Sequence, residues 1–526
     1  MQVGHSTRPR SAHVSPTPRR QFRSADSDHR REETRTVGAP NDDENAGPNN
    51  GSSSTSSVSR RTMLGTLGAL GAGGAALAIA ACSNSATTAS LATNATMPGG
   101  TPATTPPTTA PPAGSSAPPL QLLADPGMNY DALTVLGAAP YGLSEVGEVV
   151  TMVNTINRAG ATIQNYFDTF LAWGDMLAVR AAKASDDDNI EGAMLDSLRA
   201  ATYYESALFF VLGTTAAATE EQVYEKFRAS WETAAPSLAP RAEKIAIPYE
   251  GRTMPGWFFA PDRSGKKRPT LIVNNGSDGQ STWVWGFGAA AGLDYGWNTV
   301  IFDGPGQGSM LFVDNIPFRY DWENVITPVV DFLSKRSDVD PRRIALIGGS
   351  MAGELVPRAA IFEHRLAGVI AAPGVVNPWL AFPPILREIV TPDKATTNAT
   401  WVNDIIANMD PEQTFTMKKR LECYDPAAMA DARQGRVTPD FWTPVQTLQK
   451  QDITSDASRI TSPTLVIDYE DEQFYPGQAD QLHGLLTCPK DLVRMTSAEG
   501  AQMHCSPMAP QYHNDVVFNW LNNTVT

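Results

Sequence analysis

Ser350 is the residue whose surroundings speak most directly of chemistry. It stands in Gly348-Gly349-Ser350-Met351-Ala352-Gly353, after the apolar run Arg343 to Ile347 and before a segment able to begin a helix. A sharp strand–turn–helix passage of this kind lifts a serine oxygen above the C-terminal edge of a sheet, where it can attack a carbonyl. The turn crowds the positions two before and two after the serine, and Gly348 and Ala352 are both small. Ala352 replaces the usual glycine there, and Gly353 follows it. Gly-Gly-Ser alone is more often a plain loop; the strand before and the helix after favour a nucleophile.

A serine hydroxyl needs a base, and the base needs an acid to orient it. In this arrangement the acid and then the histidine follow the serine in the chain. Beyond the N-terminal region the histidines are His364, His483, His504 and His513. His364 and His483 lie in helix-like segments and read as surface or packing residues. His504 follows a last strand, Asp491 to Met495, and a loop, and precedes a C-terminal helix; it is the expected base, with His513 as second choice. Pro463 to Tyr469 reads as the penultimate strand, and Asp471 just beyond it is the expected acid. Glu470 or Asp468 are alternatives, since adjacent acids commonly mean only a solvated loop.

Two upstream loops join the site. The strand Pro269 to Asn275 leads into Gly276-Ser277-Asp278-Gly279-Gln280, where the Ser277 or Asp278 amide, with the Met351 amide, is placed to bind an oxyanion. The strand Asn298 to Phe302 leads into Asp303-Gly304-Pro305-Gly306-Gln307-Gly308. That loop lacks the Lys-Ser/Thr of a phosphate-binding motif and the G-x-G-x-x-G spacing, which disfavours nucleotide binding.

The D-G-P-G-Q-G loop, the G-G-S-M-A-G turn, E-D-E-Q-F-Y-P-G-Q from Glu470 and E-G-A-Q-M-H-C from Glu499 together resemble one α/β-hydrolase group. The group includes the bacterial dihydroxypseudooxynicotine hydrolase, fungal hydrolases that shorten pigment polyketides, and relatives of the fermentation–respiration switch protein. The resemblance runs from about Tyr141 to the C-terminus. It implies an α/β-hydrolase fold with an N-terminal helical cap, while the strand–helix alternation from Pro269 to Ala371 predicts a mostly parallel central sheet and its interruption between Pro373 and Ile460 an inserted lid. It also implies a Ser350–Asp471–His504 triad and, often, C–C bond hydrolysis. An extra catalytic carboxylate in the nicotine-pathway enzyme falls at Asp278, here a shorter acid than the Glu of that enzyme. Ser309 stands where the group commonly has Glu after D-G-P-G-Q-G.

The elements around these residues divide the chain. Residues 1–81 read as a polar leader ending in a twin-arginine export signal, Arg60-Arg61, and a lipoprotein box in which Cys82 would be lipidated. Residues 82–125 read as an Ala/Thr/Pro-rich tether, 126–240 as a helical cap and 241–372 as the first part of the core. In that core part, Ala242 to Tyr249 and Met254 to Ala260 are expected as antiparallel strands. Residues 373–460 read as the lid and 461–526 as the end of the core. The expectation is an exported protein held at the outer face of a bacterial cytoplasmic membrane by a lipid on Cys82.

The leader has ten Arg/Lys against seven Asp/Glu, so a chain of net charge −15 leaves −18 for the remainder. So acidic a body disfavours nucleic acid and electrostatic membrane adhesion. Cys82, Cys423, Cys488 and Cys505 are too few for a disulfide scaffold, although Cys488 and Cys505 flank the last strand and a bridge between them is conceivable. No metal-ligand cluster is visible and no cofactor is expected. The expected activity is serine hydrolysis of an ester or activated C–C bond in a small molecule; the oligomeric state stays open. The rivals are a prolyl-oligopeptidase-like peptidase, for which the N-terminal region is too short, and a non-catalytic binding protein on the same scaffold, which a degraded triad would mark.

Overall fold

The protein is described by a computed structural model over residues 120–526. The leader, the export signal, Cys82 and most of the tether lie outside the described residues.

Among the described residues, five α-helices precede the sheet: α1 (Pro126–Gly137), α2 (Val146–Ala159), α3 (Ile163–Asp186), α4 (Ile190–Phe210) and α5 (Glu220–Ala234). Asp125 starts α1 by accepting the Met128 amide, with Pro126 at the first position, where its missing N–H costs nothing. α4 is buried around most of its circumference, since Ala200, Ala201 and Ala207 let neighbouring helices approach while Tyr203, Tyr204 and Phe210 fill the gaps. Tyr166 of α3 stacks on Phe170 at 4.5 Å and meets Phe210 at 4.7 Å. The aromatic stripe of α4 thus serves mainly as core, apart from Phe209, which borders a cavity.

Eight strands form one sheet in the order β1-β2-β4-β3-β5-β6-β7-β8. β1 (Arg241–Tyr249) pairs antiparallel with β2 (Arg252–Ala260), and β2 pairs antiparallel with β4 (Asn298–Phe302). All the other pairings are parallel, among β3 (Arg268–Asn274), β4, β5 (Val339–Gly349), β6 (Gly368–Ala372), β7 (Thr464–Tyr469) and β8 (Lys490–Met495). β4, β6 and β7 are buried at every position, as strands covered on both faces must be. In an open parallel sheet, ligands gather at the carboxyl ends of the strands. The loops after β3, β4, β5 and β7 carry most of the residues described below.

Between β6 and β7 the chain makes only helices and loops, the longest helix being α6 (Pro411–Glu422). Asp410 and Gln413 close a capping box at its start. This insertion packs on the N-terminal helices: Phe415 stacks on Phe210 at 5.7 Å, Lys418 Nζ donates to the Leu212 carbonyl, and Arg433 pairs with Glu220 at 2.9 Å. Of its aromatic residues, Trp401 stacks on Phe441 at 4.3 Å and serves packing, whereas Phe382 and Tyr424 reach the site.

Candidate active site

Ser350 closes β5 with φ +58°, a left-handed conformation that is costly for a residue with a side chain. Its amide donates to the Ala372 carbonyl at 2.9 Å, and its own carbonyl accepts the Gly353 amide at 2.9 Å. A Cβ on Gly348 would run into the Ala352 carbonyl, and one on Gly353 would run into the Pro373 carbonyl. The tight approaches of this turn therefore fall at 348 and 353, with glycine at both, and the alanine at 352 is accommodated.

His504 Nε2 lies 3.0 Å from Ser350 Oγ. Its Nδ1 meets the two carboxylate oxygens of Glu472 at 2.8 and 2.9 Å. The residue expected there, Asp471, is exposed. Its amide donates to the Gln502 carbonyl and it forms an isolated parallel bridge with Met503. Successive side chains along such an extended stretch point to opposite sides, so the acid one position later, Glu472, turns inward. The alternatives are engaged elsewhere: Asp468 pairs with Arg494 at 2.8 Å, and Glu470 accepts the Ser497 amide at 2.6 Å. Glu472 is further held by the Phe474 and Tyr475 amides at 2.9 and 3.1 Å.

Burial works against a charged Glu472, but His504 and these hydrogen bonds outweigh it and hold its carboxyl below the usual range. At His504, burial disfavours the imidazolium, while Cys505 and the Glu472 carboxylate favour it; the balance lies above the ordinary imidazole value. The imidazole is fixed in place from several sides. Tyr130 of α1 donates its hydroxyl to the His504 carbonyl at 2.7 Å, and the Phe474 ring lies 4.4 Å from the imidazole centre.

Ser277 and Met351 border the same cavity beside Ser350. A Cβ on Gly276 would come within 2.9 Å of Ser350 Cβ, so the loop after β3 lies directly on the turn. Gln307 of the D-G-P-G-Q-G loop donates its amide to the Asn275 and Gly276 carbonyls at 2.5 and 3.0 Å, which fixes that loop's orientation. The rest of the D-G-P-G-Q-G loop is structural. Asp303 accepts the Ser309 amide and hydroxyl at 2.9 and 3.1 Å, and Gly308, at φ +47°, lies hard against the Asp303 carboxylate.

Asp278 accepts from Arg420 of α6 at 2.7 Å and from the Ser277 hydroxyl at 2.9 Å. Burial would raise its pKa, but Arg420 and Lys419 prevail and keep it ionised below the usual carboxylate range. Asp278, Arg420 and Phe474 stand where two cavities meet at Ser350. One, of about 130 Å³, extends under the N-terminal helices past Tyr130, Asp131, Glu205 and Phe209. The other, of about 60 Å³, extends under the insertion past Phe382, Met417, Tyr424 and Leu448.

The remaining histidines lie elsewhere. His364 is exposed beside Thr461. His483 is half-buried on a helix. His513 is buried against Phe287 at 4.6 Å, where burial lowers its pKa to about 4. Cys423, Cys488 and Cys505 are free thiols, so no bridge joins Cys488 to Cys505. Glu472, Arg420, Gln307 and Tyr130 escaped the sequence reading. Glu472 left a trace there as one of four neighbouring acids, and Gln307 as a member of the D-G-P-G-Q-G loop, but neither was given a role.

Residues 271–512 match the family model described as "Alpha/beta hydrolase family". The curated relatives include the alpha/beta hydrolase psoB of Aspergillus fumigatus, 29% identical over 48% of this chain and 59% of the relative. The 20-hydroxy-prefusarin hydrolase FUS2 of Gibberella moniliformis is 30% identical over 47% of this chain and 61% of the relative. The hydrolase LUC6 of a Fusarium species is 24% identical over 75% and 96%. The matched part thus spans about three-fifths of the first two of these relatives, 59% and 61%. Among solved structures, a 2,6-dihydroxy-pseudo-oxynicotine hydrolase superposes with a TM-score of 0.53 at 19% identity, over 74% of this chain and 95% of that one, which shows a shared fold. The stretch that matches the alpha/beta hydrolase family, residues 271–512, holds the serine turn and nearly all of the parallel strands just described.

Proposed function

We propose that the protein is a serine hydrolase of small molecules that cleaves an ester or an activated C–C bond beside a ketone. The observation that carries this reading is the line Ser350–His504–Glu472, joined at 3.0 and 2.8 Å, at the meeting point of two cavities. His504 Nε2 takes the hydroxyl proton as Ser350 Oγ attacks the carbonyl, and Glu472 stabilises the imidazolium that results. The Met351 amide and one from Ser277 or Asp278 receive the oxyanion; such donors are each worth on the order of a few kcal/mol. Collapse of the tetrahedral adduct breaks the bond to the leaving group, which takes the proton from His504. Water, deprotonated by His504, then releases the acyl group from Ser350. An alkoxide leaves readily by this route, and a carbanion leaves only if a neighbouring carbonyl delocalises it as an enolate. Asp278, held ionised by Arg420, acts in this scheme as an acceptor and not as a proton donor.

The hydrolases named above, one for a hydroxylated prefusarin and one for a dihydroxylated pseudooxynicotine, support a small organic substrate. A fluorophosphonate probe tests the nucleophile. The wild type should be labelled and Ser350→Ala should not; equal labelling of the two would remove Ser350 from its role. Parallel assays on aryl esters and β-diketones then separate ester from C–C cleavage.

We also infer export and lipid anchoring, from Arg60-Arg61 and the Ile79-Ala80-Ala81-Cys82 box. Radiolabelled palmitate should enter the wild type and be lost in Cys82→Ala. Label that persists in the variant would refute lipidation at that residue.

A further inference from the structure

Glu205 belongs to α4, among the N-terminal helices, yet its carboxylate is spent on the loop that follows β3. One oxygen accepts the Gln280 amide at 2.6 Å, the other accepts the Thr282 hydroxyl, and the Trp283 amide also favours the charged form. Those donors lie directly after Gly276–Gly279, the stretch that rests on the Ser350 turn. Gln307 holds the same loop from its other end, through the Asn275 and Gly276 carbonyls. The loop is therefore clamped at both ends, once by the core and once by a helix that precedes the core in the chain.

We propose that Glu205 is a positioning residue for the reaction, fixing from the N-terminal helices the loop whose amide binds the oxyanion. The proposal rests on the serine-hydrolase reading above. Oxyanion donors work only when aimed at the place where charge develops, and a displacement of about 1 Å can cost on the order of a hundredfold in rate. The N-terminal helices then do more than enclose substrate: without them the loop lacks one of its two clamps. Burial, first among the causes, raises the Glu205 pKa to about 7; the Thr282 and Gln280 hydrogen bonds oppose this and Asp131 of α1 adds to it. Asp278 and Arg420, from the loop and the insertion, and His504 line the same cavity. The carboxylate accepts from the Gln280 amide, the Thr282 hydroxyl and the Trp283 amide, and protonation turns one of its oxygens into a donor, so acid should weaken the clamp in part.

The experiment compares fluorophosphonate inactivation and ester turnover in the wild type, Glu205→Ala and Glu205→Gln. In Glu205→Ala we expect kcat and the inactivation rate to fall together, by roughly 10- to 100-fold, with KM little changed. Glu205→Gln should recover only part of the loss at pH 8, because its carbonyl can accept the Gln280 amide but its NH₂ can only donate to the Thr282 hydroxyl. The wild-type kcat profile should carry an inflection near neutral pH that Glu205→Gln lacks. Should Glu205→Ala fail to fold, Thr282→Val removes one partner alone and should lower the inactivation rate with an unchanged KM. A wild type that resists the probe defeats the hydrolase reading itself. Labelling of the wild type and both Glu205 variants at one rate, or an effect confined to KM, overturns the positioning role and leaves that reading standing.

Discussion

The Glu472 carboxylate straddles His504 Nδ1, with both oxygens within 2.9 Å of it, while the neighbouring Asp471 is turned to solvent. An acid in this position fixes the imidazole tautomer and stabilises the imidazolium formed when the serine is deprotonated. Glu472→Gln should therefore lower kcat/KM by on the order of 10³- to 10⁴-fold. Asp471→Asn should stay close to wild type. Steady-state kinetics of the two variants on one ester decide the matter, and a larger loss in Asp471→Asn would return the role to that residue.

The raised pKa of His504 sets a pH dependence whose direction follows from its chemistry. Only neutral imidazole can accept the Ser350 proton, so kcat/KM should climb as pH rises beyond neutrality. Glu472→Gln removes the anion that favours imidazolium, and its inflection should move to lower pH while the plateau falls. Stability runs the opposite way. A histidine with a raised folded pKa stabilises the fold fully below its unfolded pKa, and that contribution is lost as pH rises through the folded value. The Tm gap between wild type and His504→Ala should narrow accordingly on the alkaline side.

Gly353 lies where any Cβ would meet the Pro373 carbonyl. That carbonyl is backbone, so it cannot give way as a flexible side chain would. Gly353→Ala should cost about 1–3 kcal/mol and displace the Ser350 turn. Thermal denaturation and fluorophosphonate labelling should therefore both worsen. Ala352→Gly, one residue earlier, should retain labelling.

The Asp278–Arg420 pair joins the core loop to α6 of the insertion. Asp278→Asn leaves the guanidinium without its anion, so Tm and kcat should both fall. Adding Arg420→Gln should recover Tm in part, because paired charges in contact are non-additive, without recovering kcat. Full activity in Asp278→Asn on every accepted substrate would exclude a role for this carboxylate in the reaction.

The sequence by itself determined the local parts of this protein. Alternating apolar strands and helices spell the sheet, small residues around Ser350 spell its turn, and chain order singles out His504. Each of these is encoded within a few residues, where backbone sterics and hydrophobic pattern suffice. The acid was not local in that sense. Four carboxylates lie within Asp468 to Glu472, and only the pairing of residue 471 with Met503 decides which one faces inward. A one-position change in an extended segment reverses a side chain's direction, and the partner strand that sets it lies some thirty residues away. Arg420, Tyr130 and Glu205 were beyond sequence for the same reason: each reaches the site from a separate helical region. Only tertiary packing brings the Asp278 carboxylate to Arg420, the His504 carbonyl to Tyr130 and the loop after β3 to Glu205.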